Sequence, residues 1–187
     1  MRARLLVVVT LAAIAATCGE RQPAAYRAPR TSDGTPDISG IWQANNSANW
    51  DLEPHEARMG PVVSLGAAFS VPPGVGVVDG GEIPYLAAAL EKRNANRADW
   101  MKLDPEIKCF MPGIPRATYQ PFPFQIVQSK DNVLFTYEFA SASRVVRMDS
   151  KEKSPASAWM GWSIGRWEGE TLVIDVTDHR SEEHTSE

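Results

Sequence analysis

Three polar side chains lie close together where a proline-rich loop enters a predicted strand: Arg116, Tyr119 and Gln125. Rigid prolines in such a loop could hold a guanidinium, a phenol and an amide in fixed directions at the mouth of a β-barrel. Arg116 could bind a ligand carboxylate through two parallel hydrogen bonds. Alternatively, it could stabilise its own loop by bonding backbone carbonyls or Asp104, and this second role is favoured. Arg116, Tyr119 and Gln125 remain the candidate ligand-binding residues.

Two acidic residues, Glu138 and Asp175, stand within apolar stretches. If they were buried together, the two carboxyl groups could form an acid–base pair with shifted pKa values. Alternation along a strand favours a simpler interpretation, because each acid lies opposite the apolar side of its own stretch and would face solvent. Glu138 could also pair with Arg144 across a short turn. Glu138 and Asp175 are therefore the candidate catalytic residues, with a surface position as the alternative.

The chain has six tryptophans, which could serve as platforms for flat ligands. Core packing is the commoner use, and we expect Trp42 and Trp100 in the core. Trp159 and Trp162 stand in a predicted loop and are expected at the surface or in a pocket. Trp162 is taken as a fourth candidate ligand-binding residue.

Several chemistries lack the residues they need. Outside the last eight residues the only histidines are His55 and His179, and there is no Cys-x-x-Cys pair, so the sequence predicts no metal site. It contains neither a Gly-x-Ser-x-Gly elbow nor a strand followed by Gly-x-Gly-x-x-Gly, and no cofactor is predicted. A net charge of −4 argues against nucleic acid as a partner.

The N-terminus has the pattern of a secretory signal peptide over 1–18. Two arginines precede an apolar run over 5–18 that is shorter than the roughly 20 residues a membrane-spanning helix needs. Cys18 leaves two alternatives open, ordinary cleavage near this point or a lipid anchor, and ordinary cleavage is favoured. Residues 19–35, rich in proline and polar residues, are expected to form a disordered tether. A single cysteine, Cys109, would remain in an oxidising compartment, either buried or paired with a thiol elsewhere.

The C-terminal residues 180–187 read like a translation of a common sequencing adapter. We therefore expect 36–179 to be a single β-rich domain, truncated at its C-terminal end, and 180–187 to be an artefact.

The elements that must position these residues are mostly strands. Repeated Pro, Gly and Asn over 44–82 predict a long loop across the domain surface. The range 83–102 is predicted as a helix that has Pro84 in its first turn and ends before Asp104-Pro105. Apolar alternation then predicts the following strands: 122–128, 132–139, 143–148, 163–167 and 170–176. The last two would form a hairpin around Glu168-Gly169. The fold class is therefore mainly β (α+β), an antiparallel meander.

Three motifs in this order resemble a family of secreted bacterial proteins without an established activity. They begin at Pro36 (PDISGIW), Lys108 (KCFMPGIPR, followed by PFPFQIVQ) and Gly165 (GRWEGETLVID), and together they span about 36–178. Members of that family continue into further strands, which agrees with truncation. Relatives often carry Gly-Asp-Ser where this chain has Gly161-Trp162-Ser163, so a role for that acidic position does not transfer.

Gly40-Ile41-Trp42 also resembles the Gly-x-Trp of lipocalin-like (calycin) barrels. This resemblance implies an incomplete barrel that binds a ligand at its mouth. The leading hypothesis is thus an exported module, periplasmic or on the cell surface, that binds a small, partly apolar ligand. One alternative is a periplasmic enzyme acting on a small carbonyl- or sugar-containing substrate with Arg116, Tyr119 and Glu138. Another is a surface interaction domain without a small ligand.

Overall fold

The computed structural model describes residues 27–60 and 62–180. The expected signal peptide, its Cys18 and nearly all of the expected artefactual tail lie outside these residues. The described part of the expected tether, 27–35, is a turn in which Thr31 N–H donates to Thr35 O at 3.0 Å. Arg30 in this turn forms an ion pair with Glu170 at 2.7 Å.

The described chain is mainly β, and its strands form one six-stranded sheet. The strands are β1 (Gly40–Trp42), β2 (Phe124–Gln128), β3 (Asn132–Tyr137), β4 (Ser143–Met148), β5 (Trp162–Glu168) and β6 (Thr171–Thr177). Their spatial order follows the chain, with β1 and β6 at the two edges, so the sheet is open.

The sheet is mixed, which corrects the predicted antiparallel meander. Four neighbouring pairs are antiparallel, but β4 and β5 run parallel, with Val146 opposite Ser163. A parallel pair needs a crossover connection of about a dozen residues or more. The link over 149–161 is long enough to provide one. Its polar residues and Pro155 form no strand of their own.

Side-chain alternation places one apolar face of the sheet in the core. Val133 and Val146 are fully buried opposite each other, and Phe135 and Ile126 pack beside them on the same face. Ala117 and Met160, from segments outside the sheet, cover this face. Because side chains alternate between faces, the opposite face carries polar and half-exposed residues.

The β5–β6 hairpin has a two-residue turn at Gly169-Glu170, one position later than predicted, since Glu168 still pairs with Thr171. Gly169 has φ of 62°. A positive φ at the first turn residue suits a type II′ hairpin, and glycine adopts it without a steric penalty.

The helical part lies between β1 and β2. It consists of α1 (Ala87–Ala98), α2 (Trp100–Leu103), α3 (Arg116–Tyr119) and the 3-10 segments Val63–Phe69 and Pro105–Lys108; a further 3-10 turn, Phe139–Ser141, follows β3. The single helix predicted over 83–102 begins at Ala87 and is interrupted at Asp99, where φ of −126° is not helical. Neither α1 nor α2 buries a residue fully.

The long loop over 43–82 contains a short paired segment, here called the ribbon, made of 52–58 and 71–77. His55 N–H donates to Gly74 O at 2.9 Å, and the reverse bond is 3.0 Å. Arg58 and Val71 are joined in the same way, at 3.0 and 2.9 Å. The ribbon gives the loop a defined backbone where the sequence predicts only an irregular crossing.

Two expectations about core residues are wrong. Trp42 is 49 % exposed, because β1 is a three-residue edge strand with a neighbour on one side only. Trp100 is 36 % exposed and lies outside the core cluster. Cys109 is an exposed free thiol, so its buried alternative is also wrong. Among the described residues, no helix has the length and apolarity to span a membrane.

Candidate functional site

A cleft of about 880 Å³ lies between the ribbon, the α1–α2 segment and α3. Small-molecule sites in proteins typically measure about 300–1,000 Å³. Its aromatic and apolar lining includes Trp50, Met59, Tyr85, Trp100 and Met101. Its charged lining consists of Asp51, Arg58, Arg93, Arg97, Asp104, Glu106 and Arg116. The combination of flat apolar surfaces with a few convergent charges is typical of a ligand site.

The α1–α2 segment contributes a stripe of side chains to the cleft: Arg93, Asn96, Arg97 and Trp100. The i, i+3 and i+4 spacing of Arg93, Asn96 and Arg97 places these three on one side of α1, and Trp100 follows at the start of α2. The helix thus turns its basic side to the cleft, whereas its apolar residues Leu86 and Leu90 are 80 % and 42 % exposed.

One carboxylate of the cleft, that of Asp51, forms ion pairs with two guanidinium groups. Asp51 Oδ2 lies 3.5 Å from Arg58 Nη1 and 3.7 Å from Arg97 Nη2. The side chain of Asp51 is 16 % exposed, while Arg58 and Arg97 are 39 % and 49 % exposed. This end of the cleft therefore carries one more positive than negative charge.

Glu53 joins the ribbon to the helical segment. Its Oε1 accepts a hydrogen bond from Ile83 N–H at 2.8 Å, and its Oε2 accepts one from Arg93 Nη2 at 3.1 Å. Arg93 also lies over the ring of Tyr85, 5.8 Å from its centroid. These contacts fix the separation between two walls of the cleft.

Arg116 closes the other end of the cleft as a bidentate partner of Asp104. Its Nη1 and Nη2 donate to the two carboxylate oxygens at 2.8 and 2.9 Å, and Glu106 lies 3.3 Å from Nη1. The favoured prediction, that Arg116 ties down its own loop through Asp104, matches this geometry. Both terminal nitrogens are occupied by the protein itself, which leaves little donor capacity for a ligand.

Burial and pairing act in opposite directions on these acids. Burial raises the pKa of Asp104, but hydrogen bonds from Arg116 and from Glu106 N–H outweigh it and hold that pKa below its ordinary value. Burial likewise raises the pKa of Glu106, and the attraction of Arg116 offsets only part of the rise. The pKa of Arg116 is raised, because Asp104 and Glu106 outweigh the effect of burial.

The predicted ligand-binding residues are only partly brought together. Tyr119, at the end of α3, lines the cleft with Arg116. Gln125 is exposed on the sheet face opposite Ile126. Trp162 lies on that same outer face at the start of β5, where Arg147 covers its ring at 3.6 Å and its indole N–H donates to Glu152 O at 3.2 Å.

The two candidate catalytic acids do not line the cleft, and they lie at different strands of the sheet. Glu138 is exposed just after β3, and no ion pair with Arg144 is present in the part of the chain described. Asp175 is exposed on β6, where Arg166 Nη1 donates to its Oδ2 at 2.5 Å. Two strands separate β3 from β6. The structure therefore provides no shared site for an acid–base pair of these residues.

Four charged residues of the cleft were not predicted from the sequence: Asp51, Arg58, Arg93 and Arg97. The helical spacing of Arg93 and Arg97 places both on the polar side of the predicted helix, but that pattern does not show that this side faces a cleft. Asp51 and Arg58 stand in a loop without periodicity, so no sequence pattern placed them beside α1.

The described residues contain no group of three or more His, Cys, Asp or Glu side chains that could hold a metal ion. Comparison with known protein families, curated proteins and solved structures found no match to the chain. The resemblance to secreted bacterial proteins stays a prediction, and the case for a site depends on the geometry of the cleft.

Proposed function

We propose that this chain is an exported module that binds a small, partly apolar ligand in the cleft between the ribbon and α1–α2. The single observation that carries the proposal is the cleft itself, about 880 Å³ in volume and lined by tryptophan, tyrosine, methionine and arginine side chains. The signal-peptide pattern over 1–18 supports export to the periplasm or cell surface.

The pairing of the charges favours binding over catalysis. Arg93 is held by Glu53, and Arg116 by Asp104, so most ionisable groups of the cleft stabilise its walls. Glu138, which the enzyme alternative requires, is not among the residues that line the cleft.

A specific observation supports the enzyme alternative with a different residue, Glu106. Glu106 lies in the cleft beside Arg116, and burial raises its pKa, as a general acid requires. An enzyme of this kind would lose product formation in Glu106→Gln while keeping its melting temperature. Unchanged turnover in that variant would eliminate this alternative.

The lipocalin-like barrel remains a proposal for the fold of the family. Gly40-Ile41-Trp42 on the first strand and the in-order arrangement of strands support it, while the parallel β4–β5 pair departs from a simple up-and-down barrel. The proposed site does not depend on barrel closure, because the cleft is formed outside the sheet.

The test of function is a calorimetric screen of small aromatic and aliphatic compounds against three forms of the protein. Ala68→Phe places a ring in the cleft, whereas Ala89→Phe adds the same ring to an exposed position of α1 outside it. We expect compounds that bind the unmodified protein and Ala89→Phe but not Ala68→Phe. Equal binding to all three forms, or none to the unmodified protein, would contradict the proposal.

A further inference from the structure

The charge arrangement at the Asp51 end of the cleft identifies the ligand more closely. We infer that Arg58 and Arg97 bind a carboxylate of the ligand, while its apolar body lies along the aromatic lining. This inference rests on the proposed function, since it assigns a ligand class to the same cleft.

The first argument is the charge imbalance. Two guanidinium groups face the single carboxylate of Asp51, and both distances, 3.5 and 3.7 Å, are longer than a good charge-assisted hydrogen bond of about 2.7–2.9 Å. In the part of the chain described, no other carboxylate lies within ion-pair distance of Arg58 or Arg97. One further negative charge would neutralise this end, as a monoanionic carboxylate does.

The second argument is donor capacity. A guanidinium has five N–H donors in a planar fork that matches a carboxylate. Arg116 uses both of its terminal nitrogens on Asp104, whereas the guanidinium groups of Arg58 and Arg97 make, among the described residues, only the long contacts to Asp51. Both side chains are more than one-third exposed, so a ligand in the cleft can reach them without displacing a protein partner.

The third argument concerns the rest of the ligand. Trp50 and Trp100 line the same cleft and are 44 % and 36 % exposed. Such rings stack favourably on flat apolar surfaces. A carboxylate with an aromatic or alicyclic body would therefore fill the cleft better than an inorganic anion.

The experiment compares naphthalene-2-carboxylate with naphthalene-2-carboxamide, which has nearly the same shape but no charge. Affinities are measured by calorimetry and by quenching of tryptophan fluorescence. We expect the carboxylate to bind about tenfold more tightly than the amide, as one charge-assisted contact allows. Arg97→Gln should remove most of this difference, because Asp51 then neutralises Arg58 alone, and it should change amide affinity by less than about twofold.

Two further variants make the result specific. Arg166→Gln removes the same charge from an exposed arginine of β5 outside the cleft and should keep the tenfold preference. Arg97→Lys keeps the charge without the fork and should recover only part of it. If both compounds bind the cleft equally in the unmodified protein, the carboxylate inference is overturned and the proposed function stands. If neither compound binds, the carboxylate inference is overturned, and the proposed function is decided by the broader compound screen.

Discussion

Arginine residues of this chain occupy environments that predict different responses to substitution. Arg116 is saturated by Asp104, and Arg97 shares an acid and faces the cleft. Arg144 is only 9 % exposed, and its guanidinium carbon lies 4.6 Å from the centroid of the Phe135 ring. The environment of the guanidinium, rather than the residue type, determines whether each arginine stabilises the fold or can bind a ligand.

Removal of the Asp104 charge should destabilise the protein. Asp104→Asn keeps the side-chain shape but removes the charge, so that Glu106, 3.3 Å away, is the acid left beside Arg116. We expect the free energy of unfolding at pH 7 to fall by about 1–3 kcal/mol, the usual contribution of hydrogen bonds to charged groups. Urea denaturation measures this change. Asp131→Asn serves as the control, because this exposed acid forms no ion pair or side-chain hydrogen bond within the described residues; its stability should stay within about 0.5 kcal/mol of the unmodified protein.

The Asp104 contribution also has a defined pH dependence. Because its pKa is lower in the folded chain than the ordinary 3.8, its stabilisation is complete above that value and is lost as the pH falls through the folded pKa. The stability difference between the unmodified protein and Asp104→Asn should therefore shrink below pH 3.8. A difference that stays constant down to about pH 2 would show that the charge of Asp104 is not its source.

Arg144 is predicted to cost stability. Its Nε is buried without a hydrogen-bond partner, and among the described residues no carboxylate lies within ion-pair distance. A buried charge without such a partner carries a desolvation penalty that an apolar side chain avoids. Arg144→Met should raise the melting temperature in a thermal scan. A lower melting temperature would instead show that the contact with Phe135 outweighs desolvation.

At the scale of elements, the ribbon needs glycine at one particular place. Gly76 has φ of +68°, and a Cβ there would lie 2.6 Å from Leu52 O and from the Glu53 carbonyl carbon. Gly80 has a similar φ of +81° with no atom within 4 Å of the same position. Alanine substitutions at Gly76 and Gly80 therefore distinguish the cost of an unfavourable φ from the cost of a steric clash.

We expect Gly80→Ala to cost about 1 kcal/mol from the unfavourable φ alone. Gly76→Ala should cost more, about 3 kcal/mol, since backbone atoms must also move. Chemical denaturation of the two variants gives both values. Equal losses would mean that the ribbon is not packed as tightly as the distances indicate.

The strands of the sheet could be predicted closely, and the walls of the cleft could not. Alternation located β4 with the observed bounds and β3, β5 and β6 within two residues of theirs, because one face of each is apolar. The parallel β4–β5 pairing depends on the path of 149–161, a segment without periodicity. A helix within 83–102 could be predicted, but the position of Arg93 and Arg97 in the cleft could not. An amphipathic pattern does not say what the polar side of a helix contacts.

At the scale of the whole molecule, α3 connects the cleft to the sheet. Ala117 is buried in the core cluster, while Arg116 before it and Tyr119 after it line the cleft. A ligand that binds the folded chain alone should stabilise it by about 2.7 kcal/mol at a concentration of one hundred times Kd. Because α3 contacts both the cleft and the sheet core, we expect ligand binding to stabilise the sheet core together with the cleft.

The proposed ligand cleft is best tested by an amide ¹H–¹⁵N NMR screen of the protein with a library of small aromatic and aliphatic compounds. Compounds that bind in the cleft should shift amide signals of the ribbon, of Arg93 to Leu103 and of α3, while those of the β5–β6 hairpin stay unchanged. Shifts concentrated on the outer face of the sheet around Gln125 and Trp162, with none around the cleft, would contradict it.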